Sequence, residues 1–155
     1  MTDKPAPVLQ VRNQSEIPGR TGVVPGQTYQ TLLGDADRPT DRVRVGRATY
    51  RPQTLEPLHW HPIEATYYVI AGAATVRDVA GGEYEVSAGS IIYAPAGIAG
   101  GHEWQVHDHL ELLDIRATNA VDRKFQFTVD KATFRSYIDL PELERRAGLH
   151  FPSHY

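Results

Sequence analysis

Two histidines separated by one tryptophan, His59 and His61, are the residues whose types and spacing most directly suggest chemistry. Side chains two apart on a β-strand point to the same face, so both imidazoles can enter one site. Imidazole is a ligand for Fe, Zn, Ni and Cu, and a divalent ion needs three or more such donors. The pair therefore predicts part of a metal site, although a chain with seven histidines can also contain such a pair by coincidence.

The elements that must position these histidines are short strands. The chain has 13 glycines and 11 prolines spread along its length, which fits many strands joined by turns. Apolar and polar residues alternate in VRVGRATYRPQ and KFQFTV, and ATYYVIAG has the β-branched and aromatic content of a buried strand. AATVRDV and EYEVSA flank a glycine hairpin at AGG, and HDH at residues 107–109 is expected to turn a second hairpin.

Helix signals are confined to the C-terminal end, where Asp139 and Glu142 are spaced as a capping pair and Gly148 can end the helix. The sequence thus predicts an all-β, single-domain protein with a short C-terminal helix. We expect an extended N-terminal arm over residues 1–25, a β-barrel over residues 26–130, and a C-terminal strand, helix and tail over residues 131–155. A barrel leaves few open strand edges.

Composition excludes several classes of function. The net charge is -3 and no basic block is present, so nucleic acid is not an expected partner. No apolar run approaches 18 residues and the first ten residues lack the apolar core of a signal peptide, so we expect a cytoplasmic protein without a membrane partner. Cysteine is absent, which excludes disulfides, thiolate nucleophiles and Cys-ligated metals.

Two segments resemble the signature motifs of the cupin superfamily. The first motif is a glycine, five residues, His-x-His, three or four residues, a glutamate, six residues and a glycine; the second is a glycine, five residues, Pro-x-Gly, two residues and a histidine. The positions that match are His59, His61 and Gly72 in the first motif and Gly89, Pro95 and Gly97 in the second. The resemblance covers roughly residues 43–117 and implies a cupin β-barrel, also called a jelly roll or double-stranded β-helix, of the RmlC-like type.

This sequence departs from the motifs at three places. The glutamate ligand should fall at Ala65, and the adjacent Glu64 points to the other face of a regular strand unless a bulge intervenes. Gln53 stands where the first motif has its leading glycine. The histidine of the second motif should fall at Gly100, and His102 follows two residues later, after IAGG.

The resemblance implies a site with the metal ligands His59, His61 and His102. The expected cofactor is a divalent metal, with Fe(II) favoured and Zn, Ni or Mn as alternatives. Candidate catalytic residues are Glu64 and Glu103, as general base or support for a ligand, and Tyr67, as a hydrogen-bond partner of the substrate. Trp104 should share the inward face of His102 and form a pocket wall, whereas Trp60 should face away from the two histidines.

The function implied is that of a metal-dependent enzyme acting on a small oxygenated organic molecule. The first interpretation is an Fe(II) three-histidine dioxygenase that cleaves a carbon–carbon bond, which would make the protein an oxidoreductase. A non-redox isomerase, lyase, dehydratase or polyketide cyclase, with Zn, Ni, Mn or no metal, is the alternative, and a non-catalytic cupin that binds a small ligand is a third. Small cupins commonly pair through their sheets, so a homodimer is expected.

Overall fold

The computed structural model describes residues 8–117 and 126–138, and these residues form β-strands with almost no helix. The strands in chain order are β1 (Arg20–Thr21), β2 (Gln27–Leu33), β3 (Arg44–Tyr50), β4 (Leu55–Trp60), β5 (Ala65–Asp78), β6 (Glu83–Ser87), β7 (Ile91–Ala94), β8 (His102–Arg116), β9 (Phe127–Val129) and β10 (Ser136–Tyr137). Two short 3₁₀ turns, Gln14–Glu16 and Ile98–Gly100, complete the described elements. None of the helical segments in these ranges has the length and apolar character needed to cross a membrane.

The long strand β8 organises the curled sheet. Its first half pairs with β4 and its second half with β3, while β5 runs antiparallel to it along the other edge. The sheet order β1-β2-β3-β8-β4-β9-β10 extends from there, and β6 and β7 both pair with β5. The all-β cupin barrel predicted from the sequence is therefore confirmed. The strand β8 connects its parts, because β3, β4 and β5 all pair with it.

The core fills the inside of this curled sheet. Buried and partly exposed residues alternate most regularly along β3. Along β3 every second residue from Arg44 to Tyr50 is buried, and the residues between them are partly exposed. The largest fully buried side chains come from β5 and β8: Val69, Trp104, Val106, Leu110 and Leu112. Burial of such side chains is worth about 1.5–3 kcal/mol each, so they supply much of the energy that closes the barrel.

The predicted hairpin at HDH is wrong, because β8 runs unbroken through residues 107–109. The strand β5 is likewise continuous through Gly72, where the sequence suggested that one strand ends. Gly72 has a φ of 86°, and a Cβ there would lie 2.0 Å from the carbonyl oxygen of His109. Glycine at position 72 therefore lets β5 and β8 approach each other closely while both strands stay continuous. The polar residues of HDH, taken alone, predict a turn at this place.

The N-terminal arm is only partly extended. Residues 8–12 form no strand, but β1 pairs with β2 and so the end of the arm belongs to the sheet. The predicted C-terminal helix, from Asp139 onward, lies outside the described residues, and the division of the chain at residues 25 and 130 stays a prediction.

Gln53 lies in the left-handed region, with a φ of 62°, at the position where the cupin motif has a glycine. A non-glycine residue pays a steric cost there that glycine avoids. We expect Gln53→Gly to be more stable than Gln53→Ala by about 0.5–1 kcal/mol in the free energy of unfolding by urea. Both variants lose the hydrogen bond from the Gln53 side-chain amide to the carbonyl oxygen of His107 and keep the one from the backbone N–H, so their difference isolates the backbone conformation. Equal stabilities would contradict the prediction.

Candidate metal centre

Three buried histidines meet inside the barrel because β4 and β8 are neighbours. His59 pairs directly with His102 across the two strands, and His61 follows two residues after His59. One ring nitrogen from each of the three lies within 4.8 Å of the others. The ring centroids of His59 are 5.1 Å from His61 and 4.5 Å from His102. The structure therefore brings together all three ligands expected from the sequence.

The displaced histidine reaches the site through a compact turn. The residues Ile98–Gly100 form one turn of 3₁₀ helix, which takes up the extra length before β8. A Cβ at Gly100 would lie 1.9 Å from the carbonyl oxygen of Pro95, so glycine is needed for this close approach. The amide of Gly97 donates to the carbonyl oxygen of His61 at 2.8 Å and fixes the turn against the first motif. His102 can therefore point inward despite the two-residue shift.

Two of the three histidines point Nδ1 at a backbone carbonyl oxygen. Nδ1 of His59 lies 2.7 Å from the carbonyl oxygen of Pro57, and Nδ1 of His102 lies 2.8 Å from that of Gly100. A carbonyl oxygen only accepts, so Nδ1 carries a proton in both rings, and Nε2 is the ring atom through which either histidine would hold a metal. Nε2 of His102 is buried and makes no hydrogen bond within the described part of the chain. Burial, together with the nearby His59, lowers the pKa of His102 to about 3, which keeps this ring neutral.

The third histidine contacts a buried ion pair. The guanidinium of Arg116 lies 3.0 Å from Nδ1 of His61 and donates two hydrogen bonds to Asp114, of 2.9 and 3.0 Å. Tyr29 adds a longer hydrogen bond to the same carboxylate, at 3.4 Å. Burial alone would raise the pKa of Asp114, but the charge and hydrogen bonds of Arg116 outweigh it and hold the pKa below its usual range.

A buried carboxylate that the sequence analysis did not identify lies beside the cluster. Oε1 of Glu56 is 3.5 Å from Nε2 of His59, and both side chains are almost fully buried. Its other oxygen accepts a 2.7 Å hydrogen bond from Tyr50, whose hydroxyl accepts one of 2.7 Å from Gln27. The strand β4 changes register between Glu56 and His59, so the two side chains face the same way although they are three residues apart. Strict alternation would have placed them on opposite faces.

The other predicted catalytic residues lie in different surroundings. Tyr67 is buried in the wall of the cavity, with its ring centroid 5.3 Å from that of His102 and 5.5 Å from that of Trp104. Glu64 is exposed and accepts a 2.7 Å hydrogen bond from Tyr93 on the outside of the barrel, because no bulge turns it inward. The structure does not bring Glu64 to the cluster.

Glu103 also points away from the histidines. As the neighbour of His102 on β8 it faces the other side of the sheet, where it pairs with Arg77 at 3.3 Å and Lys131 at 2.5 Å. Trp60 faces away as predicted and stacks on Phe127 with ring centroids 4.1 Å apart. Trp104 shares the inward face of His102, which confirms that it forms part of the cavity wall.

Two cavities have His102 as a common lining residue. The cavity that holds the three histidines, Glu56 and Tyr67 has a volume of about 30 Å³, which is enough for an ion with one or two waters. A larger groove of about 360 Å³ lies between β6, β7 and the 3₁₀ turn, and His102 borders it as well. Its walls are mostly apolar, formed by Val76, Val86, Ile92, Ala94 and Pro95, with Asp78, Tyr84 and Tyr93 among the remaining residues.

Comparison with known proteins matches the segment that carries this site to a family model. The model of the cupin domain matches residues 46–116, the segment that carries all three histidines and Arg116. The match shows a cupin domain over these residues, and the barrel described above has the fold of solved cupin structures. No curated protein matches the chain.

Solved structures share the fold at low sequence identity. The polyketide cyclase RemF from Streptomyces resistomycificus is 20% identical, over 70% of this chain and 79% of its own, with a TM-score of 0.62. KdgF from Halomonas sp. is 18% identical, over 71% of this chain and 95% of its own, with a TM-score of 0.61. Ectoine synthase from P. lautus is 13% identical, over 79% of this chain and 91% of its own, with a TM-score of 0.61. At such identities the likeness concerns the fold alone.

Proposed function

We propose that this protein is a divalent-metal enzyme that carries out a non-redox reaction, an elimination, isomerisation or cyclisation, on a small oxygenated molecule. The observation that carries the proposal is the buried cluster of three histidines with a buried carboxylate, Glu56, 3.5 Å from one of them. A metal ligand set beside an acid–base group is what proton transfer next to a carbonyl requires.

Each residue of the cluster has a distinct part in this proposal. His59, His61 and His102 would hold the ion, and a bound divalent ion would polarise a carbonyl or carboxylate oxygen of the substrate. Glu56 exchanges a proton with the substrate, and Tyr50 orients its carboxylate through the 2.7 Å hydrogen bond. The buried Tyr67 keeps its proton, because burial raises its pKa, and so its hydroxyl can donate to a substrate oxygen.

The apolar groove beside His102 is the proposed place for the body of the substrate. The inner cavity of about 30 Å³ is too small for an organic molecule, whereas the groove of about 360 Å³ falls in the range of ligand pockets. A molecule there would meet apolar walls from Val86 and Ile92, and its oxygenated end would have to reach past His102 into the inner cavity, which Glu56 and Tyr67 line. The proposed substrate is therefore small, largely apolar and oxygenated at one end.

A second candidate function is the Fe(II) dioxygenase expected first from the sequence. The observation that favours it is the set of three neutral nitrogen ligands, since imidazole is also a ligand for iron. The non-redox reaction is favoured here because Glu56 supplies an acid–base group, and because cyclases and synthases occur among the proteins that share the fold.

Oxygen consumption distinguishes the non-redox reaction from the dioxygenase reaction. Protein freed of metal would be loaded with Zn²⁺, Ni²⁺, Mn²⁺ or Fe²⁺ and given small β-keto and β-hydroxy acids in D₂O. The proposal predicts deuterium incorporation or elimination, seen by NMR, without oxygen consumption. Oxygen uptake in step with substrate loss, and with Fe²⁺ alone, would establish the dioxygenase. Tight ligand binding without turnover by any loaded form would indicate a binding protein.

Glu56→Gln is expected to lower kcat by about 10²–10⁴-fold, because an amide cannot exchange the proton, while the amount of bound metal stays the same. The measurement is kcat together with metal content for each variant. The matched control is Glu64→Gln, which makes the same change in the exposed glutamate eight residues later and should leave kcat unaltered. Equal loss in both variants, or no loss in Glu56→Gln, would remove Glu56 from the mechanism.

A further inference from the structure

We propose that Arg116 fixes the proton of His61 on Nε2, so that in the ion-free protein His61 presents an N–H, and not a lone pair, to the candidate metal site. The proposal rests on the proposed function in treating the three histidines as a metal site. Its central observation is the contact of 3.0 Å between Nη1 of Arg116 and Nδ1 of His61. It assigns Arg116 as a positioning residue that acts through His61.

The direction of this hydrogen bond follows from chemistry alone. A guanidinium carries N–H donors and no acceptor, and it stays protonated in proteins. Nδ1 of His61 must therefore accept, and the single proton of the neutral ring must lie on Nε2. The opposite ring orientation would set a C–H against the guanidinium N–H and lose the hydrogen bond. His59 and His102 differ, since their Nδ1 atoms face carbonyl oxygens and must donate.

Arg116 is held firmly in the position that imposes this tautomer. Its guanidinium donates to both carboxylate oxygens of Asp114, and both side chains are almost fully buried. Moving the guanidinium away from His61 would disturb a buried ion pair, which is costly. The guanidinium is therefore the fixed partner, and His61 is the group that must adapt.

The consequence concerns how the site accepts an ion. His102 can bind through Nε2 as it stands, whereas His61 must turn its ring and give up the hydrogen bond from Arg116 before Nε2 or Nδ1 offers a lone pair. The loss of a hydrogen bond from a charged group opposes ion binding by about tenfold or more. Arg116 thereby weakens the affinity of the site for a divalent ion.

The tautomers can be read directly in the ion-free protein. The full chain would be labelled with ¹⁵N, treated with EDTA and held at pH 8, above the ordinary pKa of histidine. Long-range ¹H–¹⁵N spectra of the rings, assigned with His59→Gln, His61→Gln and His102→Gln, should show the Nδ1–H pattern for His59 and His102. His61 should show the Nε2–H pattern. An Nδ1–H pattern or a doubly protonated ring for His61 would overturn the proposal.

The effect on affinity is tested by removing both charges of the ion pair. Asp114→Asn combined with Arg116→Met removes both charges of the pair together, and Zn²⁺ should bind about tenfold more tightly than to the wild type in calorimetry. Unchanged or weaker binding by the folded variant would contradict the role of Arg116, and if the variant does not fold, the ring spectra of the wild type decide. The metal site and the tautomer of His61 are tested separately. A wild type that binds no Zn²⁺ would contradict the metal site, whereas Zn²⁺ binding together with an Nδ1–H pattern for His61 would contradict only the inference about Arg116.

Discussion

Asp114→Asn is expected to lower the free energy of unfolding by about 3–5 kcal/mol at pH 7, the largest change in stability that we predict from a single substitution. The carboxylate lies in the barrel interior against Arg116, with two short hydrogen bonds from the guanidinium. Asparagine fills the same space but leaves the charge of Arg116 buried without a counter-ion. The measurement is urea unfolding of both proteins.

The loss of stability caused by Asp114→Asn should become smaller in strong acid. The pKa of Asp114 is lower in the folded protein than in the unfolded chain, where a value near 3.9 is expected. Its ionised form therefore contributes stability that is fully present above that unfolded pKa and is lost as the pH falls through the folded pKa. The difference between wild type and Asp114→Asn should be constant from pH 7 to about 5 and shrink in stronger acid.

The matched control makes the same chemical change in an exposed pair. Glu83 contacts Arg77 at 2.7 Å on the surface of the β5–β6 hairpin, where solvent screens the charges. Glu83→Gln should change the stability little at any pH. A loss in Asp114→Asn no larger than that of Glu83→Gln would show that the interior pair does not depend on its charge.

His102→Ala is expected to weaken the binding of a divalent ion by more than 100-fold. Loss of a residue that merely supports a metal ligand already costs 10–100-fold, and His102 is itself a candidate ligand with its Nε2 facing the cluster. The measurement is calorimetric titration with Zn²⁺. The wild type should also gain about 2.7 kcal/mol of stability when Zn²⁺ is present at 100 times its Kd, and the variant should gain almost none.

The control for this variant is His109→Ala, which removes an exposed histidine of the same strand. It should bind Zn²⁺ as the wild type does and gain the same stability. Equal affinities of His102→Ala and the wild type would mean that the ion binds elsewhere, for instance at surface histidines such as His107, which contacts Glu85 at 3.1 Å.

Much of the candidate site could be predicted from local patterns. The spacing of His59 and His61 indicated a shared face, and the glycine-rich IAGG indicated that a displaced His102 could still turn inward. Counting along the first strand of the motif placed Ala65, and not Glu64, on the inner face, and the structure has Ala65 buried and Glu64 exposed. These inferences succeeded because each depends on the two-residue period of a regular strand.

The parts that could not be predicted depend on irregular backbone or on distant strands. Glu56 faces the same way as His59 because β4 shifts register between them, and nothing in LEPLHW marks that shift. The hairpin predicted at HDH was wrong because these polar residues, which suggest a turn, lie within a long strand, where His107 is half-buried and Asp108 and His109 are exposed. Asp114 and Arg116 were missed although their spacing gave a signal, since they continue the alternation of Leu110 and Leu112 toward the interior.

Several expectations from the sequence stay predictions. The homodimer is best tested by size-exclusion chromatography with light scattering, and the cytoplasmic location by fractionation of the cell of origin. The oxidoreductase class is not supported by the comparisons, in which cyclases and synthases share the fold. The choice of Fe(II), with Zn, Ni or Mn as alternatives, likewise stays a prediction.

The most direct test of the account is the metal content of the protein itself. Wild type and a variant with His59, His61 and His102 all changed to alanine would be freed of metal, dialysed against equal Zn²⁺ and analysed for bound zinc by elemental analysis. The account predicts about one ion per chain in the wild type and a negligible amount in the folded variant. Equal zinc in both proteins, or none in the wild type, would contradict a metal centre at the three histidines.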